Sequence, residues 1–217
     1  MKKVVNMSRL VNQLEKMFRA LNADFFDGEL EPVIITVTPS AKSYAHYTPW
    51  AAWQAGEEGR REINIASGTL NRPLENIAAS LLHEMNHEFN DVVLHVQDCS
   101  RNGTYHNRRF YDAAVNHGLL CYDVPKYGYA KTEPSDSLLE WVLLHDEFRE
   151  IEMCRIDEHA AAAIGTHTSD RSGSIPNRPT VKTHNYKWVC PCCGAIARSG
   201  KQIRLICGNC LKEMIEG

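Results

Sequence analysis

Apolar residues return at helical spacing early in the chain, where Leu10, Leu14, Met17, Phe18, Leu21 and Phe25 fall on one face. Ser8 is placed to cap that helix and Asp27-Gly28 to end it. Val33 to Val37 is a β-branched run stopped by Pro39, which predicts a strand. The aromatic-rich stretch from Ala45 to Trp53 predicts a second strand. Gly56-Glu57-Glu58-Gly59 reads as a turn, and the alternation from Arg61 to Ala66 as a third strand.

The period then changes back. Leu74, Ile77, Ala78, Leu81, Leu82 and Met85 make one stripe of a helix that begins near Asn71, with Pro73 in its first turn. Another helix is expected after Gly103, carrying His106, Phe110, Ala113 and His117 and stopped by Gly118. A further one runs from Ser135 to about His159. From Gly165 to Asn185 the chain is rich in Ser, Thr, Gly and Pro, the composition of a linker or mobile loop, and no internal repeat is visible.

At 217 residues, 43% hydrophobic and 24% charged, the chain has the size and composition of one globular domain plus a small appendage. No apolar run approaches the ~20 residues that span a bilayer. The first residues carry two lysines but neither an uninterrupted apolar stretch nor a small-residue cleavage site, so a cytoplasmic location is expected. The net charge of -3 hides an asymmetry. Residues 182–217 hold six Lys/Arg against Glu213 and Glu216, a balance of +4, which leaves -7 on the remainder. A basic tail on an acidic body is a weak pointer to nucleic acid, weaker still once four thiolates and a bound Zn2+ lower the tail by two charges.

Eight cysteines sharpen that tail. Cys190-Pro191-Cys192-Cys193-Gly194 and Cys207-Gly208-Asn209-Cys210 form two CxxC knuckles, which predict a tetrahedral zinc site of Cys190, Cys193, Cys207 and Cys210. Four thiolates leave no open position, so this zinc is structural. Cys192 is out of register, and Cys99, Cys121 and Cys154 read as small buried hydrophobes. Between the knuckles Ile196, Arg198, Lys201, Ile203, Arg204 and Leu205 predict a small basic hairpin. With Trp188, the side chains of Arg198, Lys201 and Arg204 are the candidate nucleic-acid contacts.

The sharper chemistry lies on the central helix, in His83-Glu84-Met85-Asn86-His87. Two imidazoles four residues apart lie one turn apart, roughly opposite the apolar stripe, and can share one metal ion. Glu84, rotated ~100° from His83, can act as general base toward a water at that ion. A pair of merely exposed histidines is the competing reading. A third ligand must come from another element, because on a continuing helix His95 would lie ~12 Å from His87. His106, after the Arg101-Asn102-Gly103 turn, is the best candidate. His117, three turns further along the same stripe, reads instead as a helix C-terminal histidine favoured by the dipole. His46, His145, His159, His167 and His184 have no spacing argument. Tyr105 is a candidate oxyanion partner, and the strand Glu62–Ala66 a candidate edge for an extended substrate.

In order along the chain, Ala20-Leu21-Asn22 with Phe25 to Leu30, Glu62 to Ile65, Leu81 to His87, and Asn102 to Asn107 with Phe110 resemble SprT-like proteins, the group that includes the Spartan proteases. Cys-Pro-x-Cys-Gly followed by a second CxxC is similar to their terminal zinc ribbon. The resemblance covers residues ~8–120 and ~186–210. It implies an α+β, zincin-like metallopeptidase domain over 1–130, with a catalytic zinc on His83, His87 and His106 and Glu84 as general base. A helical extension (131–164), a linker (165–185) and the ribbon (186–217) follow. It also implies a protein substrate, associated with or crosslinked to single-stranded or duplex DNA. The rival reading is a non-enzymatic zinc-ribbon adaptor that binds nucleic acid and keeps a vestigial HExxH motif. A hydrolase acting on nucleic acid is a second rival.

Overall fold

The computed structural model describes residues 3–40, 43–156, 186–199 and 202–217. The chain divides into two compact units, Met1–His167 and Thr168–Gly217. The predicted linker, together with His159, His167 and His184, lies outside the described residues, as does Lys201.

Helix α1 (Met7–Phe25) buries the predicted face, with Leu10, Leu14, Met17 and Leu21 fully enclosed. Its cap is Asn6 rather than Ser8: the Asn6 side chain accepts the Arg9 N–H at 3.0 Å. Strands β1 (Ile34–Thr38), β2 (Ala45–Ala55) and β3 (Glu58–Ala66) form a sheet in the order β1-β3-β2. Because β1 returns parallel to β3, with Ile35 beside Ile63, β3 is hydrogen-bonded on both sides. The expectation that Glu62–Ala66 offers a free edge is therefore corrected. That edge belongs to β2.

Helix α2 (Leu74–Glu88) packs against β2 and β3 on one side. On the other it meets a second sheet and two helices: β4 (Cys99–Ser100), β5 (Tyr105–His106), α3 (Arg108–Asn116), β6 (Leu119–Val124), β7 (Gly128–Pro134) and α4 (Asp136–Leu144). The second sheet runs β4-β5-β7-β6. Contacts on both sides explain why α2 buries Glu84, Asn86 and Glu88 as well as its apolar stripe. The α2 helix passes at Phe89–Val93 into one π-helical turn, and His95 follows with φ 52°, so the helix does not continue toward that residue.

Two expected boundaries move. The division at residue 130 falls inside β7, and Leu138, Trp141, Phe148 and Ile151 enter the main core, so residues 131–156 belong to the first unit rather than to a separate extension. Helix α4 stops at Leu144, well before His159. Beyond it the Gln13 side chain accepts the Arg149 N–H at 2.9 Å and donates to the Arg149 carbonyl at 2.8 Å, drawing that segment across α1.

In the second unit β8 (Tyr186–Val189), β9 (Ile196–Ser199) and β10 (Ile215–Glu216) pair antiparallel in the order β10-β8-β9. Among the described residues, β9 of the hairpin expected between the knuckles pairs instead with β8, ahead of the first knuckle. Among the described residues the buried core here comprises Trp188, Cys190, Cys207 and Met214. Among the described residues no helix is long and apolar enough to cross a membrane.

Candidate metal centre and its cleft

Two turns of α2 supply the first histidines, and the second sheet supplies the third. His106 sits not on a helix, as expected, but on β5, where its N–H donates to the Tyr127 carbonyl at 3.0 Å. Gly128 makes that pairing possible: it has φ 59°, and a Cβ there would lie 2.1 Å from the His106 carbonyl oxygen. Phe110, one turn into α3 and fully buried, packs its ring 4.6 Å from each of the three imidazoles.

The three Nε2 atoms converge. His106 Nε2 lies 3.1 Å from that of His83 and 3.0 Å from that of His87. His87 Nδ1–H donates to Asp98 at 2.7 Å, and His83 Nδ1 is hydrogen-bonded to the Thr132 hydroxyl at 2.9 Å. With Nδ1 as the donor in both bonds, each ring presents an Nε2 lone pair to the common point. Three lone pairs at this separation repel unless a cation lies between them, so the donor set fits a metal ion. His106 Nδ1 is buried without a well-aligned acceptor, the Thr104 carbonyl being the backbone group that acts on it.

Protonation follows the same geometry. Burial and its charged neighbours hold His83 well below its ordinary pKa, and burial with the His87 charge holds His106 at about 3. For His87 burial favours the neutral ring, but the Asp98 and Cys99 hydrogen bonds and the Asp98 charge outweigh it and raise the group to about 10. Glu84, buried beside the imidazoles, is raised by burial to about 7, with His87 and the Tyr47 backbone amide pulling the other way. Tyr47 lies on β2, so the edge strand and the carboxylate are joined.

Asp98 and Thr132 are the residues that the sequence reading missed. Neither has a helical spacing to the histidines. Asp98 arrives because the chain reverses after the π turn, and Thr132 because β6 and β7 form a hairpin whose turn signal, Pro125 to Gly128, was legible. Cys99, expected to be an inert core thiol, lies 3.9 Å from His87 Nδ1 at the centre's edge. Replacing Asp98 by Ala leaves His87 without its orienting acceptor, and we expect metal affinity to fall by about 10- to 100-fold in a chelator competition. Unchanged affinity would assign Asp98 to folding alone.

His95, by contrast, is exposed and outside the cluster, and His117 is neither a ligand nor a charged cap. The His117 ring packs 4.2 Å from Phe26 and 4.7 Å from Phe89, and its Nδ1–H donates to the buried Asn86 side chain at 2.7 Å. Burial lowers it to about 4, with the Ala113 carbonyl and Asp27 opposing, so the expected dipole stabilisation of a charged ring is corrected. Arg109 and Asp112 line the same small cavity. The unfolded chain takes up this proton near pH 6.5 and the folded chain only near 4, so His117's contribution is intact above 6.5 and is lost as pH falls toward 4. Melting temperatures of His117→Gln should depend less on pH across that window than those of the unchanged protein.

The centre opens into a cleft of about 1620 Å³, walled by Tyr44 and by Ala45 to Tyr47 of β2, by α2, by residues between His95 and His106 and by Ala130 to Pro134. Tyr105, the expected oxyanion partner, is not among the residues lining it; its ring lies under Arg101, 5.1 Å away.

In the second unit the sulfurs of Cys190, Cys193, Cys207 and Cys210 lie within 4.8 Å of one another. Each knuckle is a tight turn, closed by Gly194 N–H to Cys190 O at 2.9 Å and by Leu211 N–H to Cys207 O at 2.8 Å. Backbone N–H groups, that of Cys193 first, bring the Cys190 thiol down to about 7, whereas hydrogen bonds with the Cys193 and Cys192 side chains push Cys210 up to about 12. Four thiols this close cannot all ionise without a cation, so this set also fits a metal ion. Trp188 is buried in the module's core and its indole N–H donates to Ser199 at 3.0 Å, which corrects its assignment as a base-stacking ring. Arg204 is held in a two-pronged pair with Glu213 at 2.7 and 3.0 Å, and Arg198 is exposed.

Comparison with protein-family models, curated proteins and solved structures returns no match. What the site does must be argued from its own geometry.

Proposed function

We propose that the chain is a zinc-dependent endopeptidase of zincin-like, SprT-like type, with His83, His87 and His106 holding the catalytic zinc and Glu84 as general base. The observation that carries this reading is the convergence of three imidazole lone pairs beside a buried carboxylate, on the floor of a long cleft flanked by an edge strand. Imidazole and thiolate sets of this kind are those that zinc favours. When bound, zinc supplies Lewis-acid polarisation of the scissile carbonyl.

The chain's own residues divide the remaining work. Glu84 takes the proton of the attacking water and is positioned to return it to the leaving amine. Asp98 and Thr132 fix the ring orientations of His87 and His83. The free edge of β2 offers backbone groups to a substrate laid along the cleft in extended form. The four-cysteine set holds a structural zinc. Resemblance to Spartan proteases extends the substrate to proteins held on DNA, with Arg198 and Lys201 as the ribbon's remaining candidate contacts.

The test is cleavage of a DNA-bound protein by zinc-loaded chain, with and without single-stranded DNA, beside a nucleic-acid substrate. Protein cleavage supports the reading. Cleavage of nucleic acid alone, or only one zinc per chain and no cleavage, would favour the rival readings.

A further inference from the structure

Most charged side chains lining the cleft are already balanced. Asp91 faces Arg61 at 3.3 Å, Asp98 faces His87 at 2.7 Å and Lys131 faces Glu133 at 3.0 Å. Arg72 is different. Its Nε donates to the Thr69 carbonyl at 2.9 Å, its Nη2 donates to the Ser80 hydroxyl at 3.0 Å, and its guanidinium lies 4.0 Å over the Tyr44 ring. These contacts fix its orientation but use only two of the five guanidinium donors. Among the described residues no carboxylate pairs with it, although it lines the cleft.

A half-buried cation without a counter-ion carries a desolvation cost, visible here as a pKa lowered by burial to about 10. Stacking on Tyr44 and the two fixed donors hold the fork ready for a planar anion. Glu84 and the paired carboxylates Asp91, Asp98 and Glu133 also line the cleft, which disfavours a phosphate dianion more than a singly charged carboxylate. The location is equally specific. Ser80 precedes His83 by three residues on α2, a helix rise of about 4.5 Å. An extended peptide advances ~3.3 Å per residue, so a group at Arg72 belongs about one or two residues from a bond held at the histidines.

We propose that Arg72, with Tyr44 and Ser80, forms a carboxylate-binding subsite. It selects peptides that present an Asp or Glu side chain, or their own C-terminal carboxylate, about one or two residues from the cleaved bond. The inference rests on the peptidase reading and adds a substrate class to it.

Matched peptides test it on the zinc-loaded full chain: Asp against Asn beside the cleaved bond, and free acid against amide at the C-terminus. The expected result is about a 10- to 100-fold higher kcat/KM for one carboxylate member of these pairs, and the pair that responds identifies the carboxylate's source. In R72Q that ratio should fall to near one, while R72K, which keeps the charge and loses the fork, should keep a smaller ratio. Ratios near one for both pairs in the unchanged protein, or a ratio that survives in R72Q, would overturn the subsite. Should R72Q fail to fold, the ratios of the unchanged protein and of R72K decide. Binding of Asp and Asn peptide hydroxamates, read by calorimetry, separates the two readings. Carboxylate-selective binding, in the Asp/Asn pair or in a matching free-acid/amide pair, without any peptide cleavage would sink the peptidase and leave the subsite standing; unselective binding in both pairs with cleavage would do the reverse.

Discussion

Glu84→Gln is expected to slow peptide cleavage by about 10²- to 10⁴-fold, the usual worth of a positioned general base, while both metal sites stay filled. The substitution keeps the shape and one oxygen acceptor for the Tyr47 backbone amide but cannot take a proton. Because Glu84 is buried against α2's neighbours and is not one of the converging nitrogens, the histidine geometry should persist. Metal content by mass spectrometry and cleavage of one protein substrate, measured on the same preparation, provide the check. Loss of cleavage with two ions per chain supports the assignment. Cleavage at the unchanged rate with two ions bound would sink it.

Cys207→Ser is expected to unfold the second unit while leaving the first intact. Among the described residues the module's core has four buried members, two of them cysteines, so Trp188 and Met214 are its fully buried non-cysteine side chains, at about 1.5–3 kcal/mol each. Structural zinc contributes about 10–16 kcal/mol in comparable small modules, so a zinc held here would outweigh those two side chains. Amide hydrogen exchange gives a local readout. Protection of Cys190 N–H, bonded to Ala195 O at 2.9 Å, and of Cys207 N–H, bonded to Lys212 O at 2.8 Å, should vanish in the variant. Amides of α1 and α2 should keep theirs. Retained protection at Cys190 would mean that the module folds without its metal.

Much of this protein is written locally. The faces of α1 and α2, the HExxH pair and the two CxxC knuckles depend on residues within a few turns of one another, so period and spacing reveal them directly. His106 was also legible, but only as a histidine beyond a flexible turn. That it sits on a strand beside Gly128 is a matter of pairing between distant segments, which spacing does not encode.

What tertiary structure alone decided is everything contributed by chain reversal. Parallel return of β1 made β3 a central strand and gave the edge to β2. The π turn after α2 brought Asp98 back to His87, and the β6–β7 hairpin brought Thr132 to His83. Burial settled the rest: Trp188 became core, His117 a buried ring with a lowered pKa, and Arg72 a cation at the cleft wall with no carboxylate partner among the described residues. Ligand type and spacing are properties of short segments, whereas ring orientation, charge balance and access to solvent depend on what the remainder of the chain packs against them.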